Sequence, residues 1–167
     1  TEVVRTPRAN RVIIATRPKG LEMSFCGEVC DYVEDLARQA DVAFMAGYHY
    51  ATPEGFDEYL AKVCDQLDTV RAGHPGIRIH YEYVPAKHSS IESTLLTEIC
   101  SRVNSFGINE HEIVRVLGLF GLEEARQAIE DDESAFTLYQ GGLALLRKLG
   151  VERIQVHNLG YYVILLS

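Results

Sequence analysis

The stretch IRIHYEYV, residues 77–84, decides the fold. It is rich in β-branched and aromatic residues and closed by Pro85, so it reads as a strand. Helical stretches flank it. Over residues 54–72, Phe56, Leu60, Val63, Cys64, Leu67 and Val70 recur at helical spacing, between Pro53 on one side and Gly73 and Pro75 on the other. Over 89–103, Leu95, Leu96, Ile99, Cys100 and Val103 share a second helical face. Further strand candidates are NRVIIATR (10–17), DVAFMAG (41–47) and RIQVHN (153–158). Strands alternating with helices imply right-handed crossovers and a mostly parallel sheet covered by helices, the α/β class. Residues 109–149 read as two or three helices, with breaks at Gly118 and Gly121 and a helix packing point or break at Gly141–Gly142. There is no internal repeat and no Pro-, Gly- or Ser-rich linker, so residues 1–167 are read as a single α/β domain.

Composition narrows the function classes. The 167 residues are 47% hydrophobic and 24% charged, with no apolar run long enough to cross a bilayer, so no membrane is expected as a partner. A net charge of −8 offers no basic field to a phosphate backbone, which argues against nucleic acid while leaving room for a small phosphorylated ligand. Cys26, Cys30, Cys64 and Cys100 lie in mainly helical segments, and no signal peptide precedes them. They read as reduced thiols of a cytoplasmic protein. The Cys26–Cys30 spacing suits one helix face better than zinc, since no second pair follows. The chain starts at Thr1 and stops inside the apolar RIQVHNLGYYVILLS, and is therefore read as a fragment.

In open α/β sheets, ligands sit beyond the carboxyl ends of the strands. That rule selects Gly47–Tyr48–His49, the segment around His80 and Glu82, the segment from Asn109 to Glu112, and His157–Asn158. His80 and Glu82 are two apart on a strand and so share a face. A carboxylate there wants a partner, because burying it alone costs several kcal/mol. An Arg or Lys neighbour, or an edge position, would satisfy Glu82 without any function. Asn109 and Glu112 form N-x-x-E before an apolar run, the pattern of a helix-capping box. The two motifs fall at adjoining strand ends, which favours two carboxylates converging on Mg²⁺, a hard ion that prefers oxygen and keeps its waters.

The segments TPRANRVI, FMAGYH, IRIHYEYVPAKHSSIESTLLTEI, SFGINEHEI and RIQVHNLGYYV stand in an order and spacing that resembles the ADP-dependent sugar kinases. These phosphorylate glucose or fructose 6-phosphate from ADP. The resemblance implies a ribokinase-like three-layer core with helices on both faces, of which this chain is the central portion. It implies that Glu82 and Glu112 organise Mg²⁺ (or another divalent cation), with His80 behind them. Asn109 is implied to hold the ADP phosphates. His157 and Asn158 match the pair that contacts the nucleotide, Asn158 standing where the family usually has Thr. Arg17 resembles the arginine of the fructose 6-phosphate branch, whose planar fork matches a phosphate.

The family's catalytic aspartate, in G-x-G-D, has no counterpart, because none of the thirteen glycines is followed by Asp. The fragment is therefore expected to be inactive alone. The expected activity of the whole is that of an ADP-dependent phosphofructokinase, with ADP-dependent glucokinase, or an enzyme with both activities, as the alternative within the family. A non-catalytic nucleotide-binding module is the alternative of another class.

Overall fold

Strands β1 (Val42–Met45), β2 (Arg78–Glu82), β3 (Ser105–Asn109) and β4 (Arg153–His157) lie side by side in chain order, all parallel, and β5 (Tyr162–Leu166) closes the sheet antiparallel to β4. This computed structural model describes residues 27–167. The strand expected at 10–17, with Arg17 and Cys26, lies outside the described residues. The α/β class and the mostly parallel sheet are as the sequence pattern implies.

Two strands escaped that pattern. β3 is five residues long with a glycine at its centre, and β5 returns from β4 through the short turn at Asn158–Tyr161, where Asn158 N donates to Tyr161 O at 3.0 Å. In β3 the alternation is real but brief. Phe106 and Ile108 enter the core, while Ser105, Gly107 and Asn109 face the other side.

The helices are α1 (Gly27–Cys30), α2 (Val33–Ala37), α3 (Phe56–Gly73), α4 (Ser89–Cys100), α5 (Glu110–Leu119), α6 (Glu123–Asp131) and α7 (Ala135–Leu149), with a 3₁₀ turn at Tyr48–Tyr50. The crossovers all step the same way along the sheet, and right-handed crossovers of that kind place their helices on one face. Ile79, Tyr81, Phe106, Ile108, Ile154 and Val156 form that face. They are buried with Leu67, Leu96, Ile99, Ile113, Leu117 and Leu138 of the helices. Of the two helical layers expected, the described residues supply this one.

The opposite face carries a polar centre, His80, Glu82, Ser105, Gln155 and His157, between apolar edges. Phe44 on β1 is 77% exposed, and Leu166 on β5 is 72% exposed.

Gly141–Gly142 is the packing point, not the break, of the two readings that the sequence allowed. Both residues sit inside α7, where a Cβ at Gly141 would stand 2.7 Å from Ile129 Cδ1 and one at Gly142 would stand 2.7 Å from Leu165 Cδ1. The missing side chains let α7 settle against α6 and β5. α5 runs through Gly118, and the chain is interrupted at Phe120–Leu122, around Gly121 as expected, and at Asp132–Ser134, the second closed by a Ser134–Thr137 capping box.

Asn104 laces the amino ends of the strands. Its Oδ1 accepts from Ile79 N at 3.0 Å and Arg71 Nη2 at 3.0 Å, its Nδ2 donates to Glu152 Oε1 at 2.8 Å, and its carbonyl accepts from Glu152 N and Arg153 N. That hydrogen bond from Asn104 is the first cause holding the Glu152 carboxyl below its usual range. Asn104→Ala leaves Ile79 N and Arg71 short of an acceptor, so the unfolding free energy of the protein is expected to fall by about 2 kcal/mol. Denaturant melts measure this, and an unshifted midpoint would reject the lacing role.

Candidate functional site

Glu82 ends β2 and reaches across the sheet. Its Oε2 lies 3.1 Å from His80 Nε2 and its Oε1 lies 2.9 Å from His157 Nε2. His80 and Glu82 do share a face, as the spacing required. The partners are two imidazoles rather than the Arg or Lys considered from sequence.

The reach is possible because Gly107 lies between. In the strand register Glu82 pairs with Gly107 of β3, and His157 belongs to β4 beyond it. Two strand spacings are about 9.6 Å, and a side chain can bridge them only over bare backbone. A Cβ at Gly107 would run into Glu82 Oε2 and stand 2.7 Å from His80 Nε2.

The direction of the hydrogen bonds follows from the donor inventory. An ionised Glu82 can only accept, so His80 carries its hydrogen on Nε2 and Nδ1 of the neutral ring accepts from Ser105 Oγ, 2.8 Å away, while Ser105 Oγ itself accepts from Arg153 Nη1 at 2.9 Å. Arg153 Nη2 also donates to Gln155 Oε1. The hydrogen bond from His80 is the first cause lowering the Glu82 carboxyl below its ordinary range. Burial opposes this, and His157 adds to the lowering.

Asn109 is the N-cap of α5. Its Oδ1 accepts from His111 N at 2.9 Å and Glu112 N at 2.8 Å, while Glu112 Oε2 accepts from Asn109 N at 3.0 Å. The capping box read from the sequence is present. It uses Oδ1 and leaves Asn109 Nδ2 without a hydrogen bond among the described residues. Glu112 is half-buried, and burial raises its carboxyl above the usual range. Its backbone bond and the charge of His157 oppose the rise, while the charges of Glu82 and Glu110 add to it. Glu82, Glu112 and His157 thus lie close enough to act on one another.

The site residues named from sequence divide as follows. His80, Glu82 and His157 form one hydrogen-bonded group, and Asn109 with Glu112 forms a second, electrically coupled to it. Asn158 sits in the β4–β5 turn, where Nδ2 donates to Glu133 Oε1 at 3.2 Å and Oδ1 accepts from Gly160 N at 3.2 Å. Gly47 adopts a left-handed φ of 95°, which its place before the 3₁₀ turn requires. Sequence reasoning missed Ser105, Gly107, Arg153 and Gln155. The available signal was the alternation of small polar and apolar residues in SFGIN, masked by the helix signature directly after it.

A divalent cation is tested by the donor set. Among the described residues no three His, Cys, Asp or Glu side chains form a cage for a metal ion. Two carboxylates beside a helix N-terminus suit an ion that keeps its own waters and shares a ligand's oxygens, as Mg²⁺ does, and not one that demands full protein coordination. The residues therefore fit Mg²⁺.

The chain matches, over residues 1–167, the family model described as the ADP-specific phosphofructokinase/glucokinase conserved region. It is 29% identical over 171 residues to an ADP-specific phosphofructokinase of Methanosarcina acetivorans, covering 98% of this chain and 35% of that protein. It is 28% identical over 159 residues to an ADP-dependent glucose/glucosamine kinase of Pyrococcus abyssi, covering 94% and 34%. A solved ADP-dependent kinase in complex with fructose-6-phosphate and ADPβS superposes with a TM-score of 0.79 at 28% identity, over 90% of this chain and 34% of that one. The chain thus spans about a third of the length of these relatives. Among the described residues no helix is long and apolar enough to cross a membrane.

Gly107→Ala is expected to lower stability by about 1–3 kcal/mol through overpacking. In a Glu82→Ala background the added methyl meets less, so the two losses should sum to more than the double variant shows. Additive losses in a double-mutant cycle of chemical denaturation would show that Gly107 does not make room for Glu82.

Proposed function

Because this chain belongs to the ADP-specific phosphofructokinase/glucokinase family, we propose that the complete protein transfers the β-phosphoryl group of ADP to fructose 6-phosphate. The observation that carries the reading is the Glu82 carboxylate, held by two imidazoles, next to the N-terminus of α5 where Glu112 and Asn109 stand. A helix N-terminus attracts anionic groups, and the two carboxylates attract the cation that accompanies them.

Glu82 and Glu112 would hold Mg²⁺ through its waters, and the bound ion would offset negative charge on the transferring phosphoryl group. The chain's own residues do the positioning. His80, oriented by Ser105 and Arg153, keeps Glu82 ionised and aimed across Gly107. Asn109 caps α5 with Oδ1 and turns Nδ2 to an ADP phosphate oxygen. His157 and Asn158 are assigned to the nucleotide side, His157 also bracing Glu82. Arg17 is assigned to the sugar 6-phosphate, whose oxygens suit its planar fork.

The acceptor hydroxyl needs a base. No Gly-x-Gly-Asp occurs in these 167 residues, and we assign the base to the rest of the complete protein, along with the structure that covers the apolar edges of the open sheet face. Loss of those parts removes positioning, which supplies most of phosphoryl-transfer catalysis, so the chain alone is expected to be inactive. The reading puts the protein in the cytoplasm, with ADP and a sugar phosphate as partners. A second acceptor, glucose, is favoured by the likeness to the Pyrococcus abyssi glucose/glucosamine kinase.

The test is an assay of the complete protein with ADP or ATP as donor and fructose 6-phosphate or glucose as acceptor. AMP and fructose 1,6-bisphosphate are the expected products. Glucose far outpacing fructose 6-phosphate would select the other branch, and no transfer from ADP would leave a nucleotide-binding module. Arg17→Ala should raise the KM for fructose 6-phosphate on the order of 10-fold to 100-fold, with that for ADP nearly unchanged. Glu112→Gln should need much more Mg²⁺ for the same rate. Equal Mg²⁺ dependence would return Glu112 to a purely capping role.

A further inference from the structure

On the helical side of the sheet lies a charged group that the proposed chemistry does not use. Glu92, in the first turn of α4, is buried, with its side chain 1% exposed. It accepts four hydrogen bonds. Oε1 takes Tyr83 Oη at 2.8 Å and Ala86 N at 2.6 Å, and Oε2 takes Arg115 Nε at 2.9 Å and Arg115 Nη2 at 2.6 Å. Arg115 Nη2 also donates to Ala86 O at 3.1 Å, so Ala86 is held at both backbone groups.

The elements joined in this way are telling. Tyr83 directly follows Glu82, and because side chains alternate along an extended chain its ring goes to the opposite face, against Phe106 at 6.0 Å between centroids. Its backbone N continues the ladder to Gly107 O at 2.9 Å. Arg115 stands three residues after Glu112 on α5, within one helical turn. One buried carboxylate therefore ties the end of β2, which bears Glu82, to the helix that bears Glu112.

A network meant only for stability would be a poor choice here. Burying the Glu92 carboxylate is costly even with Arg115, itself 38% exposed, as its partner, whereas the directional bonds fix geometry. We infer that Glu92, with Tyr83 and Arg115, is a positioning group that sets the relative placement of Glu82 and Glu112 for the divalent cation and the ADP phosphates, without touching either. This rests on the reading of Glu82 and Glu112 given above.

The experiment uses the complete protein with ADP present and Mn²⁺ as the probe, its binding followed by electron paramagnetic resonance. Tyr83→Phe removes one hydroxyl and keeps the ring. Glu92→Gln keeps an acceptor for Tyr83 and Ala86 but turns an amide toward Arg115. Each is expected to weaken Mn²⁺ binding on the order of 10-fold, as outer partners of metal sites do, with the KM for fructose 6-phosphate within about twofold of the parent and the KM for ADP raised. Arg115→Lys keeps the charge and loses the fork, and should fall between the parent and Glu92→Gln. If Glu92→Gln fails to fold, Tyr83→Phe carries the test.

Variants that melt earlier yet bind Mn²⁺ with parental affinity, while Glu112→Gln binds it weakly, would overturn the positioning role and leave the metal reading intact. Parental affinity in Glu112→Gln would remove the metal reading and the positioning role with it.

Discussion

A carboxylate on an interior parallel strand must find partners, and the arrangement of this protein turns on how Glu82 does so. Neither neighbouring strand offers it a lysine or arginine. It is satisfied by His80 two residues back and by His157 two strands away, with a glycine in the gap. Each of these residues then constrains another. His80 must present Nε2–H, so Nδ1 of the neutral ring takes the Ser105 hydrogen, and the free lone pairs of Ser105 Oγ accept from Arg153. Gly107 must stay bare. Five positions on three strands are thereby fixed by one negative charge.

The sheet makes this line of residues possible because β1 to β4 follow chain order. With every crossover stepping the same way, the helices gather on one side, and the other side is left to side chains chosen for chemistry. The apolar face is a continuous core from Ile79 through Val156, and the polar face is interrupted only at its two edges, where Phe44 and Leu166 stand exposed. An apolar residue at a sheet edge next to a polar centre is a surface that asks for cover. This agrees with a chain that spans about a third of its relatives.

Much of this was legible in the sequence. The period-2 stretch at 77–84 and the helical stretches around it carry their own signals, and the N-x-x-E pattern named a cap that is present in full. What could not be read was whatever depends on contacts between distant segments. SFGIN is too short and too small-sided to announce a strand until β2 and β4 pair with it. Gly141–Gly142 reads as a packing point or a break, since glycine weakens an isolated helix, and only the side chains of α6 and β5 that fill the bare positions decide for packing. From the sequence, an Arg or Lys neighbour or an edge position would satisfy Glu82. Its real partners are imidazoles, one of them 75 residues further along the chain.

The N-x-x-E pattern at Asn109 and Glu112 shows how a helix cap can also serve the proposed site. A cap consumes one acceptor of the asparagine and one oxygen of the glutamate. The asparagine amide and the second carboxylate oxygen are then held in fixed positions at the mouth of the helix by the bonds that define the cap. A flexible pair would lose rotamer freedom on meeting a ligand, whereas this pair has lost it already on folding. The same reasoning applies on the far side of the sheet, where Glu92 is immobilised by four donors before any ligand arrives. Burial raises the Tyr83 phenol far above its ordinary range, with the Glu92 bond as the next cause, so its hydroxyl stays a donor at any physiological pH. On the proposed reading, local stability and functional geometry are products of the same hydrogen bonds.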